Sequence, residues 1–245
     1  MRLDKYLAQM SMGTRSEVKK FIKSGRVFVN GAPASGPEQK VTEEDDVEFD
    51  GEKISYEKYV YYMLNKPQGV VSATKDNTCR TVLSLITDST KKDLFPVGRL
   101  DKDTEGLLLI TNDGALSHEL LAPGKHVWKT YFVRVMGTLE DNEVECLENG
   151  VDIGEDKLTR QARVRRLKTG ELDITLQDPG EDESCLELSI CEGRFHQVKR
   201  MMAAVGHPVL YLKRLSMGTL ELDPGLAPGE YRRLTQEEIT SLKSR

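Results

Sequence analysis

Between Phe95-Pro96-Val97 and the apolar run Leu107-Leu108-Leu109-Ile110, the segment Gly98-Arg99-Leu100-Asp101-Lys102-Asp103-Thr104-Glu105-Gly106 gathers three carboxylates and two cations. A polar loop leading into a rigid strand is where binding and catalytic groups concentrate. Asp101, Asp103, Glu105 and Gly106 match the opening positions of a calcium loop. Such a loop needs a bidentate Glu at its twelfth position, where this chain has Asn112, and would not run into an apolar strand. Two of these carboxylates could instead act as acid and base on a glycosidic bond. The distance that chemistry requires is not defined by neighbouring loop positions. Asp103, Thr104 and Glu105 are otherwise expected to shape the loop through local side-chain to backbone hydrogen bonds.

Two distant segments carry further polar groups. Lys129-Thr130-Tyr131-Phe132-Val133 reads as a strand holding a tyrosine, a residue that in a strand is ordinarily a core side chain with a bonded hydroxyl. Glu192-Gly193-Arg194-Phe195-His196-Gln197-Val198-Lys199-Arg200-Met201-Met202 runs from a strand through a glycine into a basic helix, with His196 at the expected helix start. Lys213 and Arg214 extend this basic patch, and Glu192 is its one acid between residues 190 and 214. Cys79, Cys146, Cys185 and Cys191 form no Cys-x-x-Cys pair and have no matching histidine spacing, so neither zinc nor a disulfide framework is expected.

The elements that must position these groups follow from periodicity. Strands are predicted at 59–64, 107–111, 129–135, 172–176, 186–191 and 209–212. Helices are predicted at 115–121, 143–148, 196–205 and 236–243, the last opened by the capping box Thr235-Gln236-Glu237-Glu238. This order does not repeat as strand–helix–strand units, so an α+β fold on a large, mainly antiparallel sheet flanked by helices is expected. Ahead of it, 4–10 has Tyr6, Leu7 and Met10 at helical spacing. Thr14-Arg15-Ser16-Glu17 caps a second helix that Gly25 ends, 27–29 and 47–49 read as strands, and Asn30-Gly31 reads as a tight turn. Residues 41–52 hold seven acids and no base, a linker composition, and the boundary is placed so that 1–56 and 57–245 are separate domains.

Net charge is −5, which would suit a nucleic-acid ligand poorly if it were evenly spread. It is not. Residues 1–30 carry Arg2, Lys5, Arg15, Lys19, Lys20, Lys23 and Arg26 against only Asp4 and Glu17. Arg15, Lys19, Lys20 and Lys23 fall on one side of the second helix, as a phosphate-binding face or an ordinary solvated one. The acidic runs, including Asp178, Glu181, Asp182 and Glu183, read as solvated turns. No apolar run approaches the roughly 20 residues of a bilayer span, and the charged opening is followed by no signal-like stretch, so a cytoplasmic protein is expected.

The three polar segments together resemble the three motifs of RNA pseudouridine synthases, in the form carried by the RsuA group, and the first fifty residues resemble an S4 RNA-binding domain. Met63-Leu64-Asn65-Lys66-Pro67-Gln68-Gly69, residues 196–207 and Leu226-Ala227-Pro228-Gly229-Glu230-Tyr231-Arg232 also fit, so the resemblance covers nearly the whole chain. It implies that Asp101 is the essential catalytic residue, attacking ribose C1′ or uracil C6. An aspartate carboxylate, ordinarily of pKa about 3.9, is ionised at neutral pH and needs no activating base. Tyr131 would stack on the target uracil and Arg194 would be the cation that keeps Asp101 charged. Ile190, or Leu188 on the same strand face, would form an apolar wall. Arg99 would fill the stack vacated by an extruded uridine or grip a phosphate, extrusion costing a few kcal/mol. Arg2, Lys5, Arg15, Lys19, Lys20, Lys23, Arg26, Lys199, Arg200, Lys213 and Arg214 would contact RNA. The resemblance implies no cofactor and no metal. The implied partner is 16S ribosomal RNA or a partly assembled small subunit, with uridine 516 as target; no residue indicates an oligomer, and a monomer is the default expectation. The alternatives are a large-subunit synthase, a non-catalytic S4 assembly factor and a metal-dependent nuclease or glycosidase.

Overall fold

The structure, a computed structural model, describes every residue except 11, 55, 56, 89–92, 169–179, 181 and 245. The chain divides into two compact units: Met1–Val60 with Ile86–Leu94, and Tyr61–Leu85 with Phe95–Arg245.

In the first unit, helices α1 (Leu3–Gln9) and α2 (Arg15–Lys23) precede strands β1 (Val27–Val29), β2 (Ala32–Pro33), β3 (Val47–Phe49) and β4 (Glu52–Lys53), which form a sheet in the order β2-β1-β3-β4. The expected capping box is present: the Thr14 side chain accepts from Glu17 N, and the Glu17 carboxylate accepts from Thr14 N at 2.8 Å. Asn30 and Gly31 both adopt positive φ, +53° and +77°, the combination that a tight hairpin between β1 and β2 requires. Leu3, Tyr6 and Leu7 of α1, Val18 and Ile22 of α2, and Val27, Val29 and Val47 of the sheet bury together. Each such side chain contributes about 1.5–3 kcal/mol on burial. This leaves the charged side of α2 in water.

The second unit is built on a nine-stranded sheet. Its elements are β5 (Tyr61–Lys66), β6 (Phe95–Pro96), β7 (Glu105–Thr111), α3 (Gly114–Leu121), β8 (Lys129–Met136), α4 (Asp141–Asn149), β9 (Arg163–Leu167), β10 (Glu183–Ile190), α5 (Gln197–Ala204), β11 (Val209–Met217), β12 (Leu220–Glu221), β13 (Tyr231–Arg233) and α6 (Gln236–Lys243). The main path is β13-β5-β7-β11-β8-β10-β9, and every neighbouring pair is antiparallel except β7 with β11. Every residue of β5 is buried, as are 106–111 of β7, so these strands are covered on both faces. The α+β, mainly antiparallel architecture is as expected, and α6 starts at its capping box with Thr235 accepting from Glu238 N.

Departures from the expected elements have local causes. β11 runs five residues past its expected end, because Lys213 and Arg214 look like a surface patch in sequence yet continue the strand. β9, Arg-Val-Arg-Arg-Leu, has no apolar alternation to announce it. It is held at the sheet edge by its register with β10. The strand expected at 172–176 lies outside the described residues, as do Asp178 and Glu181. Among the described residues no helix is long and apolar enough to cross a membrane.

Candidate active site

The loop carrying Asp101 is fixed by its backbone. The buried Ser72 hydroxyl donates to the Leu100 carbonyl at 2.9 Å and accepts from Leu100 N at 3.0 Å, clamping the residue before Asp101 on both sides. Asp101 O accepts from Thr104 N at 3.1 Å, and Lys102 O accepts from Gly69 N at 2.8 Å. Lys66, fully buried at the end of β5, donates to the carbonyls of Pro67 at 3.0 Å and Thr104 at 2.8 Å. Burial lowers its pKa to about 8, with Asp103, Asp101 and Glu105 pulling the other way. Gly106 then lets the loop close onto the sheet. Its φ is +100°, and a Cβ there would sit 2.3 Å from the Arg214 carbonyl oxygen, so no other residue could pair with β11 at this point.

The rung Gly106–Arg214–Tyr131–Leu188 crosses β7, β11, β8 and β10. Over this rung a cleft is lined by Arg99, Asp101, Thr104, Tyr131, Ile190 and the start of α5, among others. Asp101, Tyr131, Arg194, Arg99 and Ile190, drawn from separate segments of the chain, all border it. Of the two candidates for an apolar wall, the structure places Ile190 there. Leu188 is fully buried and is not a lining residue. The Thr104 hydroxyl is buried at this cleft with no hydrogen-bond partner among the described residues, so the side-chain bond expected of it in shaping the loop is absent.

The charge environment of Asp101 differs from the expected one. The cation against its carboxylate is Lys199, whose Nζ lies 3.2 Å from Asp101 Oδ2 and 2.6 Å from Asp103 Oδ1. Burial alone would lower the Lys199 pKa, but its hydrogen bonds to Asp103 and Asp101 outweigh that and raise it. Asp103 is correspondingly held below the usual carboxylate range, Lys199 being the main cause. Arg194, expected in this place, turns away. Its guanidinium donates to Glu192 at 3.2 Å, Glu155 at 3.3 Å and the carbonyls of Lys157 and Leu158 at 2.7 and 2.8 Å. Two acids compete for Arg194, whereas Lys199, within the first turn of α5, already projects over the loop. His196 is a second difference. It occupies the residue before α5, but with a left-handed φ of +49° and no side-chain cap, and its Nε2 lies 3.4 Å from Asp101 Oδ1.

Glu192, at the start of the basic segment, organises this region. Its nearly buried carboxylate accepts from Arg194, from Arg160 N at 3.0 Å and from Gln197 Nε2 at 2.7 Å. Glu105 belongs elsewhere: it accepts from the Tyr211 hydroxyl at 2.6 Å and lines a separate cavity with Asn65, Glu187 and Lys213. The three loop carboxylates therefore do not converge, contrary to a shared metal site or an acid pair that includes Glu105. Among the described residues no group of three or more His, Cys, Asp or Glu side chains is placed to hold a metal ion.

The expected RNA-contacting cations divide into classes. Lys5, Arg15, Lys19, Lys20 and Lys23 are exposed, and among the described residues no carboxylate pairs with them. Arg2 pairs with Asp4, Arg26 with Asp50, and Arg200 with Glu155 at 2.6 Å. Arg214 is no surface contact at all: it is 2% exposed, with Nε donating to the Leu107 carbonyl at 2.7 Å across the parallel β7–β11 pair. Sequence reasoning gives no separate role to Lys66 and none to Ser72. A lysine closing the strand that the apolar run at 59–64 announces, just before Pro67, is the signal that could have found the first, whereas Ser72 has no local mark.

Comparison with known proteins places this arrangement. Residues 60–204 match the family described as RNA pseudouridylate synthase, and residues 1–47 match the S4 domain. An uncharacterized RNA pseudouridine synthase of Bacillus subtilis is 47% identical over 98% of this chain and 97% of its own length. The ribosomal small subunit pseudouridine synthase A of Escherichia coli K12 is 39% identical over 99% of this chain and 100% of its own. A crystal structure of a pseudouridylate synthase superposes with a TM-score of 0.65 at 37% identity, covering 99% of both chains. The chain thus belongs to the RNA pseudouridine synthases, isomerases of uridine in RNA, and carries an S4 domain ahead of its synthase domain.

Proposed function

We propose that this enzyme isomerises a single uridine of small-subunit (16S) ribosomal RNA, uridine 516, taking the RNA itself or a partly assembled subunit as substrate in the cytoplasm. The small-subunit assignment draws on the full-length similarity to enzymes named for that substrate. Asp101 is the nucleophile of this reading. The observation that carries it is the convergence of Asp101, Tyr131 and Ile190 on one cleft, with Lys199 against the carboxylate.

Isomerisation exchanges the C1′–N1 glycosidic bond for a C1′–C5 bond. The uridine leaves the base stack and enters the cleft between the Tyr131 ring and the apolar Ile190 side. Asp101 supplies an electron pair to ribose C1′ or uracil C6, the glycosidic bond breaks, and the released ring turns to present C5 to C1′. C5 bonds to C1′, the bond to Asp101 breaks and returns the electron pair to its carboxylate, the proton on C5 is lost and N1 gains one, so the product has the composition of the substrate and the enzyme is regenerated. Lys199 stays against the carboxylate as an electrostatic partner while the entering base displaces water. The S4 domain binds the RNA through the exposed face of α2, which supplies affinity without reading the target base.

The direct test is incubation of metal-free protein with a 16S fragment containing uridine 516, followed by pseudouridine mapping for wild type and Asp101→Asn. Modification by wild type and none by the variant is expected. Undiminished activity of the variant would remove Asp101 from its role. Modification of a large-subunit fragment in place of the 16S fragment would overturn the substrate and leave the chemistry standing.

A further inference from the structure

The turn that leads into α5 holds a side chain that neither the fold nor the chemistry uses. Phe195 is 75% exposed, the most exposed of the large apolar side chains among the described residues. An isolated apolar side chain on a surface needs no explanation, but this one is set in a built frame. Its ring lies on the imidazole of His196, with centroids 3.8 Å apart and planes 18° from parallel, and that imidazole is in turn 3.4 Å from the Asp101 carboxylate. The backbone beneath is fixed. Gln197 Oε1 accepts from Arg194 N at 2.9 Å, the Phe195 carbonyl accepts from Arg200 at 3.2 Å, and the buried Gln197 is anchored on Glu192. His196 is held in the left-handed region, where residues with a side chain are rarely found. That conformation turns both rings outward beside the cleft.

Arg194, Lys199 and Arg200 of the same segment are each paired with a carboxylate, and Arg99 lies on the lining of the cleft. An exposed aromatic face beside the cleft suits a ligand whose flat bases can be splayed out and stacked, and single-stranded RNA is recognised in this manner. We infer that the Phe195–His196 stack is a platform for the unpaired base next to the target uridine, holding the strand at the mouth of the cleft while the uridine occupies it. This inference rests on the reading that the cleft receives a uridine from RNA. It gives Phe195 a role in binding and positioning the strand and none in the chemistry.

The test uses the full-length protein and a 16S fragment carrying the fluorescent base 2-aminopurine on the 5′ or the 3′ side of the target uridine. Wild-type protein quenches the probe on one of the two sides as the base stacks. Phe195→Ala loses the quench, weakens binding about tenfold and raises KM for pseudouridine formation far more than it lowers kcat. Phe195→Leu behaves as the alanine variant does, because bulk without a π face does not stack, and Phe195→Trp restores both readouts. Equal melting temperatures of the four proteins show that the fold is intact, as an exposed position allows. The platform is overturned if wild type quenches neither probe, if Phe195→Ala quenches and binds like wild type, or if Phe195→Leu restores binding. Pseudouridine is mapped on the matching fragment without the probe. Its absence with wild type would sink the functional reading, while the quench decides the platform on its own.

Discussion

Helices α2 and α5 each carry a run of cations, Arg15, Lys19, Lys20 and Lys23 on one and Lys199 and Arg200, following Arg194, on the other. In sequence the two runs look alike. On α2 the charges stand in water with no carboxylate paired to them among the described residues. Around α5 every one is committed: Arg194 to Glu155 and Glu192, Lys199 to Asp101 and Asp103, Arg200 to Glu155. The difference separates two uses of positive charge. Cations surrounded by solvent and mobile counterions bind phosphate by releasing those ions, which gives affinity that falls steeply with salt. Cations clamped by nearby acids hold a fixed field at one place, which is what stabilises charge during a reaction. The net charge of −5 is compatible with an RNA substrate because acids are placed to neutralise one cluster and to leave the other bare.

Exchanging the two roles by mutation gives the largest expected effect first. Lys199→Met should lower the single-turnover rate at saturating RNA by roughly 10²–10³, the loss typical of one preorganised charged partner. RNA affinity and its salt slope should stay near wild type. Lys199→Arg should recover part of the rate. A Lys199→Met enzyme that turns over normally but binds weakly would place α5 in the same class as α2. The converse change, charge reversal at Arg15, Lys19 and Lys20, should weaken binding by roughly one to two orders of magnitude at low salt. It should flatten the dependence of log K on log salt by about 0.7–0.9 for each phosphate that is no longer neutralised. The rate at saturation should not change, and an unaltered slope would show that this face does not meet RNA.

How much of this contrast sequence alone discloses depends on whether the deciding partner is local. The α2 face is legible because helical spacing and a capping box place Arg15, Lys19 and Lys20 together within a few residues, and the apolar side of that helix fixes which way they point. The strand-borne Tyr131 and the loop-borne Asp101 are legible as candidates, though only their separate motifs, not any periodicity, bring them to one cleft. What sequence misses lies at long range. Whether Arg194 or Lys199 reaches Asp101 depends on Glu155 and Glu192 drawing Arg194 away, a competition between residues up to 39 positions apart. Arg214 reads as one more surface cation because nothing near it says that β7 will pair with β11 over it. Ser72 holds Leu100 from 28 positions away, and a serine in a loop carries no mark of that.

Smaller effects test whether the clamps themselves are what distinguishes α5. Glu192→Gln removes the charge that Arg194 and Gln197 share and should lower stability by about 2 kcal/mol in urea unfolding, as expected when bonds to a nearly buried charged group are removed. Activity should fall only as far as the α5 turn loosens. Arg15→Gln, its counterpart on the bare helix, should leave unfolding unchanged while lowering RNA affinity. Equal stability losses from the two would erase the distinction.

The smallest effect concerns Arg26 of the S4 domain, a cation that is both clamped by an acid and laid over aromatic rings. Arg26 pairs with Asp50, its Nε 2.7 Å from Oδ1, and also lies over the rings of Phe21 and Phe49 at 4.5 and 4.8 Å. The aromatic pair should hold the guanidinium in place without the acid. Asp50→Asn should therefore add one bare cation, tightening RNA binding by about two- to threefold at low salt and steepening the salt slope by less than about one. Arg26 holds the Asp50 carboxyl below its ordinary value of 3.8. The stability from this pair is thus complete above that value and is lost as pH falls through the lower, folded-state value. A melting difference between wild type and Asp50→Asn near neutral pH should accordingly vanish in stronger acid. If the substitution weakened RNA binding instead, Asp50 would be orienting Arg26 toward phosphate, and a clamped cation would be serving in affinity as the bare ones of α2 do.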